Sequence, residues 1–331
     1  MRARRSWLFA LLTAGIAVAL SLAAAELLLR VAGRGPWSPP PPRPHEAVLF
    51  DPDPVRGWQP RPGRHEFPGR PGDRRSVVVT QAADGSRATA AEPVASGPVW
   101  VLVGGSFAQG WGLSDEETLA WRLQARWPGR RVRNHAVGGY GSYQSLLTLE
   151  ELFAGDEPPD QVLYGFAEIH EERNVAAPRW LRSLALTSRS GMAAVPYVTL
   201  EGPRLVRHPP SAYPAWPART LSATVTFLQD LAASRAGAAR AAAARPATER
   251  LLLEMQDVAL RHGARLAVVL LDLSPAGRAH YLRFLRLQRL EAVDCALPIP
   301  LSRRLPEDGH PNAAHQRDWE ACVAAALGSA A

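Results

Sequence analysis

The sequence predicts a three-layer α/β/α domain on a mainly parallel sheet, preceded by one amino-terminal membrane helix. Three observations predict it. Short apolar runs at 99–103, 131–137, 160–166 and 265–273 alternate with helix-period segments, the pattern of strands joined by helical crossovers. Each of the first three runs ends in a glycine-rich or polar loop. At the amino end, Arg2, Arg4 and Arg5 precede an uncharged apolar run over 7–25, followed by Glu26, Leu27 to Leu29 and Arg30.

That first run, extended through Leu29, reaches the length of a bilayer span. Basic residues ahead of it predict a cytoplasmic amino end and an extracytoplasmic remainder. A cleaved signal peptide is the alternative, since Ala23-Ala24-Ala25 resembles a small-residue cleavage site. The chain therefore divides into an anchor or signal segment (1–34), a proline-rich linker (35–47) and a main domain (48–331). Within the linker, Pro36, Pro39 to Pro42 and Pro44 read as an extended tether. Residues 50–96 read as an irregular lobe holding a strand or two, 76–80 among them.

The first strand, 99–103, runs into Gly104-Gly105-Ser106-Phe107-Ala108-Gln109-Gly110-Trp111-Gly112. Ser114 or Asp115 can cap the helix beyond, which shows Leu119, Leu123 and Trp127 on one face. This turn is not a P-loop, for the chain has no lysine. It lacks the G-x-G-x-x-G dinucleotide spacing, and Ala108 replaces the last glycine of a G-x-S-x-G elbow. What remains is a serine just past a strand, among glycines that let backbone N–H groups approach a substrate. An ordinary glycine-rich turn is the plain alternative.

The second strand leads to Gly138-Gly139-Tyr140-Gly141, then to a helix through Leu146, Leu149 and Leu152. The third leads to the polar stretch Ala167 to Asn174. Residues 175–247 read as a cap-like insertion, irregular and proline-punctuated to about 220 and helical from there to 262. After the strand at 265–273 come a helix (276–289), a short strand (292–295) and a helical tail (312–327) capped by Asn312. Cys295 and Cys322 either pair in an oxidising compartment or remain buried thiols.

Right-handed crossovers bring the strand-end loops to one rim. That rim gathers Ser106, the Gly139 turn, His170 with Asn174, and Glu307-Asp308-Gly309-His310. A serine hydroxyl becomes a nucleophile when an imidazole takes its proton, and the imidazole needs an acid on its other nitrogen. Asp308 lies two residues before His310, on the same side of an extended segment, with Glu307 as the alternative acid. His170-Glu171 offers no second metal ligand at helical spacing. The formal charge is +7, but all the basic side chains are arginine, as a G- and C-rich genome would produce. They form no basic helix or aromatic-interleaved patch, so nothing points to nucleic acid.

These blocks, Gly104-Gly105-Ser106-Phe107, Gly138 to Gly141, Gly165 to Asn174 and Asp308-Gly309-His310-Pro311-Asn312, resemble the SGNH/GDSL hydrolase superfamily, in particular its membrane-anchored bacterial members. Asp53-Pro54-Val55-Arg56-Gly57-Trp58 and Asp84-Gly85-Ser86-Arg87 resemble two further elements of those members. The resemblance implies a flavodoxin-like sheet, Ser106 as nucleophile, His310 as base and Asp308 as its orienting acid. It implies an oxyanion hole from the Ser106 and Gly139 N–H groups plus a side chain of the third block, and no cofactor. Gly105 stands where the superfamily has aspartate, while Ala167 and Glu168 stand where Asn and Asp would fall. The side-chain donor is then His170 or Asn174.

The expected function is a serine esterase at the inner membrane with its domain outside the cytoplasm, acting on an acyl ester, an O-acetylated envelope glycan among the candidates. The alternatives are an O-acyltransferase to polysaccharide and a non-catalytic glycan-binding protein. Trp180, Trp216 and Tyr213 are candidates for stacking on sugar rings, or form the core of the insertion.

Overall fold

A computed structural model describes residues 2–39, 49–68, 76–187, 194–306 and 309–328. Its centre is a five-stranded, wholly parallel sheet of β5 (Val99–Gly104), β6 (Arg131–Asn134), β7 (Gln161–Ala167), β10 (Arg265–Asp272) and β11 (Glu291–Asp294). Their spatial order is β11-β10-β7-β5-β6. Counted within the sheet this is 2-1-3-4-5, the flavodoxin order, so the chain reverses direction between β5 and β7. The expected doubly wound, three-layer architecture is therefore present.

Alternation along the strands sends side chains to two cores. Val101, Val103, Tyr164 and Leu270 face α4 (Ser142–Ala154), α8 (Ala244–Arg261) and α9 (Pro275–Leu287). Trp100, Leu102, Leu163 and Val269 face α3 (Leu119–Arg126) and α10 (Ala313–Leu327). Because both faces are covered, the central strands are buried without interruption, which is why they read as continuous apolar runs.

The segment before β5 is more regular than the sequence suggests. It folds into two antiparallel hairpins, β1 (Phe50–Asp53) with β2 (Gly57–Pro60) and β3 (Gly63–Phe67) with β4 (Val77–Gln81). Beyond α5 (His170–Asn174), the stretch expected to be irregular up to 220 likewise holds α6 (Pro178–Thr187) and a hairpin of β8 (Val195–Glu201) with β9 (Arg204–Ser211). Pro209 and Pro210 mask β9 in the sequence, but they fall where the ladder is interrupted, between the Val195–Ser211 and Tyr197–His208 pairs, so their missing N–H groups cost no ladder bond. Tyr213 belongs to the core of this region, stacked on Trp37 with ring centroids 5.5 Å apart.

The apolar α1 (Arg2–Val31) ends against α7 (Ala223–Ala242). Glu26 accepts hydrogen bonds from the Ala223 and Thr224 N–H groups and from the hydroxyls of Ser222 and Thr224. Arg30 donates to the Leu221 carbonyl. Of the proline-rich stretch, the described part lies on the domain: Trp37 is buried and its N–H donates to Arg219 O and Thr226 Oγ1.

Cys295 and Cys322 are disulfide-bonded, with Cα atoms 5.9 Å apart, and pin α10 to the end of β11. The bond spans 27 residues, and chain-entropy reasoning gives it about 3–4 kcal/mol of stability. Cys322→Ser is expected to lower the unfolding free energy by about that amount, read as a lower urea midpoint, with a higher m-value because the unfolded chain is no longer cross-linked.

Candidate active site

Ser106 opens a four-residue helical turn, α2 (Ser106–Gln109), at the carboxyl end of β5. Its Oγ lies 2.9 Å from Nε2 of His310, 204 residues further along the chain. With Nε2 as acceptor, the hydroxyl donates to the imidazole, the geometry that proton removal requires.

The histidine is delivered by a tightly bonded loop. The His310 carbonyl accepts from Leu305 N–H at 2.6 Å, and Arg304 Nη1 donates to Gly309 O at 2.9 Å. Gly309 reverses the chain at φ 75°, a left-handed conformation that favours glycine. Asn312 then caps α10 through the Ala314 and His315 N–H groups, as expected. Gln316 of α10 donates to Phe107 O and accepts from Leu119 N–H, tying the histidine's helix to the Ser106 turn. Phe107 meets the imidazole edge-on at 5.5 Å, and Trp111 lies 6.1 Å from it. Asp308 and Glu307, the expected orienting acids, fall outside the described residues.

The second turn lies beside the first. Val137 N–H donates to Gly104 O, and Tyr140 N–H closes a turn onto Val137 O. Gly139 occupies the third position of that turn at φ 83°, where a side chain would be strained. Among the described residues no acceptor takes the Ser106 or Gly139 N–H, so both are available to a developing oxyanion. The Gly57-Trp58 element holds this turn: Trp58 Nε1 donates to Gly138 O, and the Tyr140 hydroxyl donates to Trp58 O.

The third block departs from expectation at Asn174. Its Nδ2 donates to both Ser142 Oγ and Thr248 Oγ1, and its Oδ1 accepts from Tyr143 N–H. With both amide hydrogens engaged in the interior, Asn174 supports α4 and α8 and is not a donor to the rim. Glu168 is also structural, accepting from Ser274 N–H at the start of α9 and pairing with Arg245. His170 remains. It is buried, its Nδ1 is 2.7 Å from the Tyr164 hydroxyl, and burial together with the Arg173 cation holds its pKa well below the ordinary range. Arg173 itself has no carboxylate within ion-pair distance among the described residues. It donates to Tyr140 O at 2.8 Å, lies over the Trp180 ring, and is lowered to about 10 by burial.

Two contributors were not assigned a role from sequence. Arg87 is buried, pairs with Asp115 at 2.8 Å, and donates to the carbonyls of Gln109, Gly110 and Leu113. It thereby clamps the loop that follows Ser106. His135, between β6 and the Gly139 turn, is fully buried and pushed down to about 4 by that burial. An unfolded histidine titrates near 6.5, so between about 6.5 and 4 the unfolded chain binds more protons than the folded one. Stability is then full above that window and falls as pH falls through it. His170 and His315, also lowered, add in the same direction. A urea midpoint lower at pH 5 than at pH 7.5 is expected, and His135→Gln should flatten the difference.

Together, fold and site define a class: a doubly wound α/β protein with a hydrogen-bonded serine–histidine pair at the strand ends. No family model matches the chain, and neither does any curated protein. Among solved structures, it is similar to TesA at 16% identity and a TM-score of 0.42, over 70% of this chain and 99% of that one. It is similar to the psychrotrophic esterase EstA from Pseudoalteromonas sp. at 12% identity and 0.41, over 70% and 97%. It is similar to AlinE4, an SGNH-hydrolase family esterase, at 13% identity and 0.37, over 71% and 97%.

Proposed function

We propose that the chain is a serine ester hydrolase of the SGNH/GDSL type, tethered to the inner membrane with its domain outside the cytoplasm. The observation that carries the reading is the 2.9 Å contact between Ser106 Oγ and His310 Nε2 beside two unengaged backbone N–H groups. Ser106 Oγ attacks the acyl carbonyl carbon as His310 takes the hydroxyl proton. The N–H groups of Ser106 and Gly139 stabilise the oxyanion. Collapse breaks the ester C–O bond, His310 returns the proton to the departing alcohol, and an acyl-Ser106 enzyme remains. Water, activated by the same imidazole, then releases the carboxylic acid. Asp308, two residues before His310, is the proposed acid that orients the imidazole and stabilises its charged form.

Placement outside the cytoplasm draws on arginines ahead of the apolar helix (Phe9–Val31 at mean hydropathy 2.0) and on the disulfide. The Glu26 and Trp37 contacts would then hold the domain close to the bilayer surface. An O-acetylated envelope glycan is the proposed substrate. Trp180 lines a cleft of about 520 Å³ with Ile169, Glu172 and Arg179, a mixture of aromatic and charged groups that suits a carbohydrate.

The test is turnover by the purified full chain in detergent. Release of acetate from an aryl acetate and from O-acetylated polysaccharide is the expected result. No acetate from either substrate contradicts the hydrolase reading. Acetyl transfer to added polysaccharide in place of free acetate makes the protein a transferase.

A further inference from the structure

The geometry points to His170 as a neutral Nε2–H donor beside the nucleophile, held in that tautomer by a chain of hydrogen bonds from Asn174 through Ser142 and Tyr164. This rests on the hydrolase reading and supplies the side-chain donor that Asn174 does not provide.

The direction of each bond in the chain follows from its fixed end. Tyr143 N–H requires an acceptor, so the atom facing it is Asn174 Oδ1, at 3.1 Å, and the amide nitrogen faces the other way. That nitrogen donates to Thr248 Oγ1 at 2.7 Å, whose own hydrogen goes to Ala244 O, and to Ser142 Oγ at 3.0 Å. Ser142 Oγ thus accepts from Asn174. The Ser142 and Tyr164 hydroxyl oxygens lie 2.7 Å apart, and because Ser142 Oγ already accepts from Asn174 and its proton has no other described acceptor, that proton is assigned to the Tyr164 oxygen. The Tyr164 proton then goes to His170 Nδ1, also at 2.7 Å. The reverse order, from Nδ1–H through Tyr164 to Ser142, leaves the Ser142 hydroxyl proton without an acceptor. Ser142 and Tyr164 are both fully buried, so that proton could not turn to water instead. A neutral imidazole accepting at Nδ1 carries its hydrogen on Nε2. Burial and the neighbouring Arg173 keep the ring neutral.

The hydrogen on Nε2 meets no acceptor among the described residues, although His170 is only 2% exposed. Where it points is given by Gly105, the residue before the nucleophile. A Cβ there would stand 2.7 Å from His170 Nε2 and 2.9 Å from Arg173 Nη1. Gly105 is therefore a position kept open for the imidazole. His170 follows β7 and Ser106 follows β5, so the two flank the crevice where the strand order reverses. A donor there can reach an oxygen developing beside the Ser106 N–H. His170 would be a catalytic residue, with Tyr164, Ser142 and Asn174 positioning it.

The test joins a spectroscopic readout to a kinetic one, both on the full chain in detergent. Imidazole ¹⁵N spectra of histidine-labelled protein, with His170 assigned by difference from His170→Asn, should show Nδ1 bare and Nε2 protonated. Tyr164→Phe keeps the ring and removes the last donor, and should shift that signal toward a tautomer mixture. On an aryl acetate, His170→Ala should lower kcat about 10²-fold with KM changed less than about twofold, the signature of a lost transition-state contact. Tyr164→Phe should lower kcat less, by about tenfold, and His170→Asn should recover part of the His170→Ala loss by restoring a neutral N–H donor. A spectrum with Nδ1 protonated and Nε2 bare overturns the inference, whatever the activity. So does unchanged kcat in His170→Ala when turnover still depends on Ser106. Loss of Ser106 dependence instead overturns the hydrolase reading, while the spectrum still decides the tautomer.

Discussion

Ser106→Ala is expected to lower kcat/KM for an aryl acetate by about 10⁴-fold or more while leaving the fold intact. The magnitude follows from the proposed joint action of nucleophile and base: without the hydroxyl, the His310 imidazole has no proton to take, and only the proposed oxyanion donors and binding remain. The fold should persist because Ser106 caps nothing with its side chain; the turn begins at Gly105 without a side-chain cap. The hydroxyl's described partner is the imidazole itself. Loss of turnover at an unchanged thermal midpoint is the pattern that separates a missing nucleophile from a misfolded protein.

Arg87→Met is expected to cost about 3–5 kcal/mol of folding stability. The guanidinium is almost wholly buried, so Met removes the partner of Asp115 and leaves that carboxylate in the interior with one fewer counter-charge. It also removes the donors to the carbonyls of Gln109, Gly110 and Leu113. Arg87→Lys should recover little, because an ammonium cannot present the planar fork that reaches Asp115 and those carbonyls together. Because Trp111 of the clamped loop lies beside His310, kcat/KM should fall even in the fraction that folds. Urea unfolding read beside kcat/KM per folded molecule measures the two effects separately.

The central strands of the sheet were legible because they are buried on both faces, which makes burial and sequence hydrophobicity coincide. Ser106 and His310 were legible because glycine-rich and strand-end loops carry few residues with proton-transfer chemistry. Their meeting depends on strand order, which only the resemblance anticipated. The β8–β9 ribbon was hidden by Pro209 and Pro210, since the break in the ladder that accommodates them is a property of the pairing and not of the segment. Asn174 and His170 looked alike as donors on paper. Only the hydrogen-bond partners separate them, and those come from Ser142, Tyr164 and Thr248 in three other elements. Arg87 and Gly105 show the same limit from opposite sides. One arginine among many carries no mark of burial, and a glycine that makes room for an imidazole 65 residues away looks like any turn glycine.

The claim on which the rest depends is that His310 activates the Ser106 oxygen. Fluorophosphonate labelling of the full chain, with the adduct mapped by peptide mass, tests it most directly. A single adduct on Ser106, abolished in Ser106→Ala and strongly slowed in His310→Ala, is the predicted result. An adduct on another residue, or labelling of Ser106 at an unchanged rate without His310, would contradict it.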